Sequence, residues 1–513
     1  MPKTLRDLLE SITQRQMIST QGDLSVEISA PVAESSLDVQ PGGIFVARVG
    51  QSADGHSYIP QAIAAGAAAI VGEAPQDDLP VPYVRVRDAQ AVIGPLAAAY
   101  HGFPSRELVV IGVTGTDGKT TTCHLLHSIL KRVREVKAGY ISTISAVFGD
   151  ETVATGLHVT TPGAPQVQAY LARMVEAGLT HCILEMTSHG LAQGRLNGVD
   201  IDVAVLTNVM HEHLDYHGSW ENYRDAKAIM FKMLGEAWRK PGIAKLAVIN
   251  ADDDSAAYFG TFPADRLQSY GVRTRADYRA TELSFRPDAT AFRVQGQHLE
   301  MRLPGDFNVS NALAAIVAAR ELGVFWSDIR AGIAAVDLIS GRMERIDEGQ
   351  DFIAMVDFAH TPNALRRALG AGRAMLPPGK RLIAVFGSAG LRDVEKRRLM
   401  AETSAQLADL TVLTAEDPRT ESLDDILEMM AEGCRASGGI EGESFIRVRD
   451  RGEAIFRACQ SARSGDLVMA CGKGHEQSMC FGATEHPWDD RDAMRSALRG
   501  APLATLPTAK PGR

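Results

Sequence analysis

Val109-Val110-Ile111-Gly112-Val113-Thr114-Gly115-Thr116-Asp117-Gly118-Lys119-Thr120-Thr121-Thr122 decides how this chain is read. β-Branched residues run into a glycine-rich turn, and the turn enters Cys123-His124-Leu125-Leu126-His127-Ser128-Ile129-Leu130, whose apolar spacing marks a buried helix face. The pattern predicts a strand, a phosphate loop and a helix. Backbone N–H groups from Gly115, Thr116, Asp117, Gly118 and Thr121, with the helix N-terminus, suit phosphate oxygens; Lys119 adds a point charge and the Thr120 hydroxyl suits Mg²⁺. The strict pattern has glycine five positions before Gly118, where this chain has Val113, so the loop is an uncommon variant.

A chain of 513 residues exceeds one ordinary core and predicts three domains of about 150 residues each. With 45% hydrophobic and 23% charged residues and no bilayer-length apolar run, it reads as globular and without a membrane anchor. Its first ten residues carry acidic groups and no signal-peptide core, so a cytoplasmic protein is expected. Six scattered cysteines lack paired metal spacing and read as reduced core thiols. A formal charge of −10 argues against a nucleic-acid partner, because such binding neutralises phosphates with clustered cations.

Outward from the loop, residues 1–105 predict a small α/β domain, with strands at 44–47 and 67–71 and a helix over 58–66. The polar run 51–56 reads as a turn or as a site lining. Residues 106–341 predict a central parallel-sheet ATPase domain, with buried strands at 180–185 and 203–207. Glu185, Asn208 and the cluster His211-Glu212-His213 follow strand ends, where ligands of such sheets sit. The cluster lacks the i, i+4 histidine pair of a zinc protease, because residue 215 is Asp; Mg²⁺ held by Glu185 and one imidazole fits better. Residues 342–513 predict a Rossmann-like domain with four apolar strands, at 353–357, 382–386, 410–414 and 467–471. Loops of both charges follow all four and suit a zwitterionic substrate. None fits a full dinucleotide fingerprint.

These residues, taken together, resemble the Mur ligases of peptidoglycan synthesis, and within them the branch that adds a diamino acid. The resemblance runs nearly the full length: Gly115 to Thr121, Thr160-Thr161-Pro162, Glu185-Met186-Thr187-Ser188-His189-Gly190, His213-Leu214-Asp215-Tyr216-His217-Gly218, Asp306-Phe307-Asn308, Gly341-Arg342-Met343-Glu344, Pro418-Arg419 and Gly472 to Glu476. It implies a three-domain ATP-dependent amide-forming enzyme, expected to be a monomer, acting on UDP-N-acetylmuramoyl-L-alanyl-D-glutamate and a diamino acid. Carried over by position, Ser36, Gln51, Ser52 and Ala53 would touch the uridine nucleotide, and Thr160, Thr161, Thr187, Gln193 and Arg195 the muramoyl dipeptide. Asn308, Arg342 and Asp357 would serve the adenine nucleotide; Arg392, Glu416, Asp417, Pro418, Arg419, Gly472 and Glu476 would serve the diamino acid. Thr120, Glu185, His213 and Lys227 would hold Mg²⁺, with Lys119, Lys227, Glu185 and His213 catalytic.

By residue type alone, Lys227 reads as an exposed helix lysine. The resemblance implies instead a CO₂-derived carbamate. Departures from the family pattern fall at Leu37, Thr187, Glu212, Leu391 and in the loop Glu416-Asp417-Pro418-Arg419, where diaminopimelate-adding enzymes usually carry Asp-Asn-Pro-Arg. Arg392 and Arg419 suit a distal carboxylate, whereas Asp417 suits an ammonium. An unpaired buried Arg419 would be costly, which tilts the choice slightly to diaminopimelate over lysine or ornithine. Alternatives are another Mur or folylpolyglutamate-type ligase, and a phosphate-loop switch protein.

Overall fold

The computed structural model describes residues 3–50, 53–154, 161–210, 214–286 and 289–509. In the first part of the chain, five strands order as Met17–Gln21, Tyr83–Val86, Ala69–Gly72, Ile44–Ala47 and Val32–Ala33. Only the first pair is antiparallel. Alternate side chains serve two cores. Ile44, Val46, Ala69 and Val71 pack with helix Ala89–Tyr100, whereas Phe45, Ala47 and Ile70 pack with Ile59 and Ala62 of helix Ile59–Ala64. A strand covered on both faces is apolar throughout, which is why the sequence announced it.

The strand that opens the phosphate loop, Val109–Thr114, lies inside a nine-stranded sheet. His181–Glu185 pairs with it on one side and Val203–Leu206 on the other, both parallel. Glu185 stands opposite Val113 and Leu206 opposite Thr114, so three strand ends deliver their next residues to one place. Helices Lys119–Leu130 and Asp306–Glu321 cover one face, where Ile111 and Val113 point. Helix Trp220–Glu236 covers the other, against Val110 and Leu184.

The last sheet has six strands where the sequence predicted four. The four predicted, largely apolar runs are present as Ile353–Asp357, Leu382–Phe386, Leu410–Leu413 and Leu467–Cys471. Two three-residue strands, Glu344–Ile346 and Phe445–Arg447, close the edges. Runs that short carry too few alternations to be told from loop. Leu467–Cys471 enters between Ile353–Asp357 and Leu382–Phe386, all parallel, so the loops after these strands share one sheet edge. Among the described residues no helix is long and apolar enough to cross a membrane.

Candidate active site

The phosphate loop is fixed from behind by side chains of the neighbouring strand end. Asn208 Oδ1 accepts from the Asp117 N–H at 3.0 Å, and Asn208 Nδ2 and the Thr207 hydroxyl donate to the Asp117 carbonyl at 3.0 and 2.7 Å. Gly118 begins the helix at φ 84°, and a Cβ there would lie 2.0 Å from Asn311 Oδ1, so both conformation and space require glycine. Lys119 Nζ donates to the carbonyls of Gly115 and Thr116 at 3.1 and 2.7 Å, which bends its ammonium over the loop. Thr116 and Tyr223 share a hydroxyl hydrogen bond of 3.0 Å. The Thr116 N–H donates to the Asn208 carbonyl at 2.8 Å, so the Thr116 and Asp117 N–H groups are engaged by Asn208 rather than offered to phosphate; the helix N-terminus beside a lysine still fits a polyphosphate.

Glu185 is buried beside the loop. Its carboxylate accepts from the Thr120 hydroxyl at 3.2 and 3.0 Å and from the Thr143 hydroxyl and N–H at 2.9 and 3.1 Å. The hydroxyl and carboxylate oxygens of Thr120 and Glu185 are hard donors in contact, which fits Mg²⁺. Lys227 corrects the reading from residue type: it is 1% exposed, with Nζ donating to the Gly115 carbonyl at 2.7 Å and lying 4.2 Å from the Tyr223 ring centroid. Its helix turns it into the sheet edge beneath the loop. His213, Gln51, Ser52 and Thr160 lie outside the described residues.

Two clefts meet here. The first is lined by the loop, Glu185, Asn308, Arg342, Asp357 and Phe358. Arg342 reaches toward the Thr120 hydroxyl at 3.4 Å and stacks over Phe358 at 4.5 Å. Asp357 accepts from the Met343 and Ala359 N–H groups at 2.7 and 2.8 Å; burial raises its pKa, against the pull of Arg342 and both N–H groups.

The second cleft, of about 680 Å³, runs from Thr161, Thr187, Gln193 and Arg195 past Lys227 to Arg392, Glu416, Asp417, Arg419, Gly472 and Glu476. Lys119 and Thr187 line both clefts. Thr161 and Thr187 share a hydroxyl hydrogen bond of 3.0 Å, and Arg195 Nη1 donates to the Thr161 carbonyl at 2.7 Å. The fold thus unites candidates from two distant parts of the sequence. Ser36, whose hydroxyl donates to Gln61 at 3.0 Å, and Ala53 line neither cleft, nor does Pro418.

At the far end the charges resolve differently from the sequence reading. Asp417 finds its ammonium within the chain: Lys473 Nζ is 3.1 Å from both carboxylate oxygens and 2.5 Å from Glu476. Those carboxylates raise the pKa of Lys473 despite its burial. Arg419 is only partly buried, which removes the argument that leaving it unpaired would be costly. Asp417 and Arg419, which line the cleft, and Leu391, next in sequence to the lining residue Arg392, all adopt positive φ, at 38°, 53° and 55°. Sequence reasoning gave no role to Lys473, Thr143 or Tyr223. Lys473 sits inside a quoted motif between two glycines and Tyr223 opens the stretch to Lys227 that also carries the resemblance, while Thr143 carries no local signal.

Family models match residues 33–101 (Mur ligase family, catalytic domain), 113–319 (Mur ligase middle domain) and 341–474 (Mur ligase, glutamate ligase domain). The UDP-N-acetylmuramyl-tripeptide synthetase of Roseiflexus sp. (strain RS-1) is 43% identical over 91% of this chain and 94% of its own length. The UDP-N-acetylmuramoyl-L-alanyl-D-glutamate--2,6-diaminopimelate ligase of Geobacillus thermodenitrificans (strain NG80-2) is 38% identical over 90% and 94%. A solved structure of a protein with that same ligase name superposes with a TM-score of 0.66 at 29% identity, covering 97% of this chain and 99% of that one. The chain belongs to the Mur ligase family and is an ATP-dependent ligase that joins an acid to an amine as an amide.

Proposed function

We propose that this ligase joins a diamino acid to the D-glutamate side-chain carboxylate of UDP-N-acetylmuramoyl-L-alanyl-D-glutamate in peptidoglycan synthesis. Meso-diaminopimelate is favoured slightly over L-lysine and L-ornithine, because two arginines, Arg392 and Arg419, line the far cleft and lysine offers only one carboxylate. The observation that carries the reading is the junction of a phosphate cradle with a second, charge-lined cleft at Lys119 and Thr187. A carboxylate is a poor electrophile. Transfer of the terminal phosphoryl group of ATP makes it an acyl phosphate with ADP leaving; the amine then attacks and phosphate departs. Lys119 and the helix N-terminus offset charge that develops on the transferred oxygens.

Mg²⁺, when bound, neutralises phosphate charge. Thr120 and Glu185 would hold it, together with His213. Lys227 is read as carbamylated: its neutral amine adds CO₂ and loses a proton, giving a carboxylate with one negative charge shared by two oxygens in place of an ammonium. Residues 1–105 would carry the UDP end through Ser36, Gln51, Ser52 and Ala53, residues 106–341 ATP and the dipeptide with Thr160, and residues 342–513 the amino acid. The enzyme is read as a cytoplasmic monomer.

Phosphate release from ATP in the presence of the UDP-muramoyl dipeptide, compared with diaminopimelate, lysine and ornithine, tests the assignment. Stimulation by one of them is expected; none from any of the three overturns it. Replacing Lys227 with Ala should lower turnover about 100-fold, as removal of preorganised charge beside a phosphoryl group does elsewhere. A Lys227→Ala protein with full activity would remove the lysine from the mechanism.

A further inference from the structure

Helix Ala89–Tyr100 carries Gly94-Pro95 in its interior, a pair that weakens a helix. The fold shows what the pair admits. A Cβ on Gly94 would lie 2.1 Å from the Asn197 carbonyl oxygen, and one on Gly198 would lie 2.7 Å from the Gly94 carbonyl carbon and 2.9 Å from the Pro95 nitrogen, which has no hydrogen to leave stranded there. Residues 193–198 of the middle part therefore lie directly on a helix of the first part. Two side chains close this joint, one in each direction: Gln90 Nε2 donates to the Gln193 carbonyl, and Asn197 Nδ2 donates to the Gln90 carbonyl at 3.3 Å. Neither side chain lines a cleft.

Each side of the joint leads to a candidate binding region. On the middle side, Gln193 and Arg195 line the second cleft and are held locally, Gln193 Nε2 donating to the Tyr216 hydroxyl at 3.2 Å and Arg195 Nη1 to the Thr161 carbonyl at 2.7 Å. On the other side, the first turn of the helix is tied to the loop that holds Ala53. Glu73 Oε1 accepts from the Ala89 N–H at 2.8 Å, and the Glu73 and Ala74 N–H groups donate to His56 Nε2 at 2.9 and 3.0 Å. With Nε2 accepting, Nδ1 carries the proton and donates it to Asp54, the residue after Ala53, at 2.6 Å. Hydrogen bonds and the helix thus run without a break from Asp54 to Gln193.

We propose that Gln90 and Asn197 are positioning residues that fix the span between the two ends of the UDP-muramoyl substrate. This rests on the reading above, in which Ala53 serves the uridine nucleotide and Gln193 and Arg195 serve the muramoyl dipeptide. A molecule gripped at both ends gains affinity over its parts only when the grips are held at its own length apart. A loosened joint leaves each grip intact and removes that gain.

The test uses the full enzyme with ATP, Mg²⁺ and the diamino acid that supports turnover. KM is measured for UDP-N-acetylmuramoyl-L-alanyl-D-glutamate and for N-acetylmuramoyl-L-alanyl-D-glutamate, which lacks the nucleotide. The wild type should favour the nucleotide-bearing substrate by at least about 100-fold. Gln90→Ala should lower that ratio at least about threefold, and the double variant Gln90→Ala, Asn197→Ala at least about tenfold, since a hydrogen bond is worth roughly that much. Gln90→Glu, which keeps the length and loses the donor, should match Gln90→Ala. The change should fall on KM for the UDP substrate alone, with kcat and the KM values for the truncated substrate and for ATP within about twofold of wild type. Variants that keep the wild-type ratio, or that weaken both substrates alike as a purely structural role would, overturn this inference alone. A wild type that does not discriminate between the two substrates, or that is not stimulated by the UDP substrate with any diamino acid, overturns the functional reading and this inference with it.

Discussion

At the scale of single residues, groups held against their own preference gather at one end of the second cleft. Glu416 binds its proton more tightly folded than unfolded, since burial moves its pKa from 4.5 to about 7. A raised pKa stabilises the fold below the unfolded value, and that stability is lost as pH rises through the folded one. Glu416→Gln should therefore stabilise the protein at pH 8 by about 2–3 kcal/mol and change little at pH 4.5, read from denaturant unfolding at the two pH values. Leu391 is strained in another way: at φ 55° and 60% exposed, it occupies a conformation that asparagine tolerates and leucine resists. Leu391→Asn should stabilise by about 0.5–1 kcal/mol in the same assay. The departures from the family pattern at 391 and 417 thus fall on left-handed backbone, a fact that residue identity alone does not disclose.

At the scale of elements, helix Trp220–Glu236 does the most for the site. Its first turn is capped by Ser219, whose hydroxyl accepts from the Asn222 N–H at 3.1 Å. Its buried face carries Tyr223 and Lys227, one turn apart, to the underside of the phosphate loop. Ser219→Ala should cost about 1 kcal/mol of stability. It should also lower turnover more than ATP affinity, measured as kcat against the KM for ATP, because the fraying turn is the one that leads to Lys227. The apolar strands and the phosphate-loop helix were legible because burial on both faces, and a glycine between strand and helix, write themselves into local sequence. The edge strands Glu344–Ile346 and Phe445–Arg447 were not, because their pairing is decided by partners far along the chain.

At the scale of the molecule, one cleft is lined from two parts of the chain that are distant in sequence. Arg342 and Phe358 of the last part line the nucleotide cleft with the loop of the middle part, and Asn363 and Arg367 reach Met210 across the same boundary. A ligand that touches both parts stabilises both. A non-hydrolysable ATP analogue at 100 times its Kd should add about 2.7 kcal/mol to unfolding and raise Tm in a single cooperative transition. Arg342→Ala should lower the shift by weakening nucleotide binding, while Tm without ligand changes little; calorimetry distinguishes the two.

The sequence by itself determined the strand–loop–helix around Gly118, the apolar strands and the kinship, because strand burial, glycine geometry and motif spacing are local properties. The tertiary structure decided that Lys227 is buried against Gly115, that Asp417 is already neutralised by Lys473, and that Glu416 faces a cleft without a partner. Each of those depends on which side chains from distant segments share a low-dielectric space, and the charge state and solvation of an ionisable group are set there and not by its neighbours in the chain.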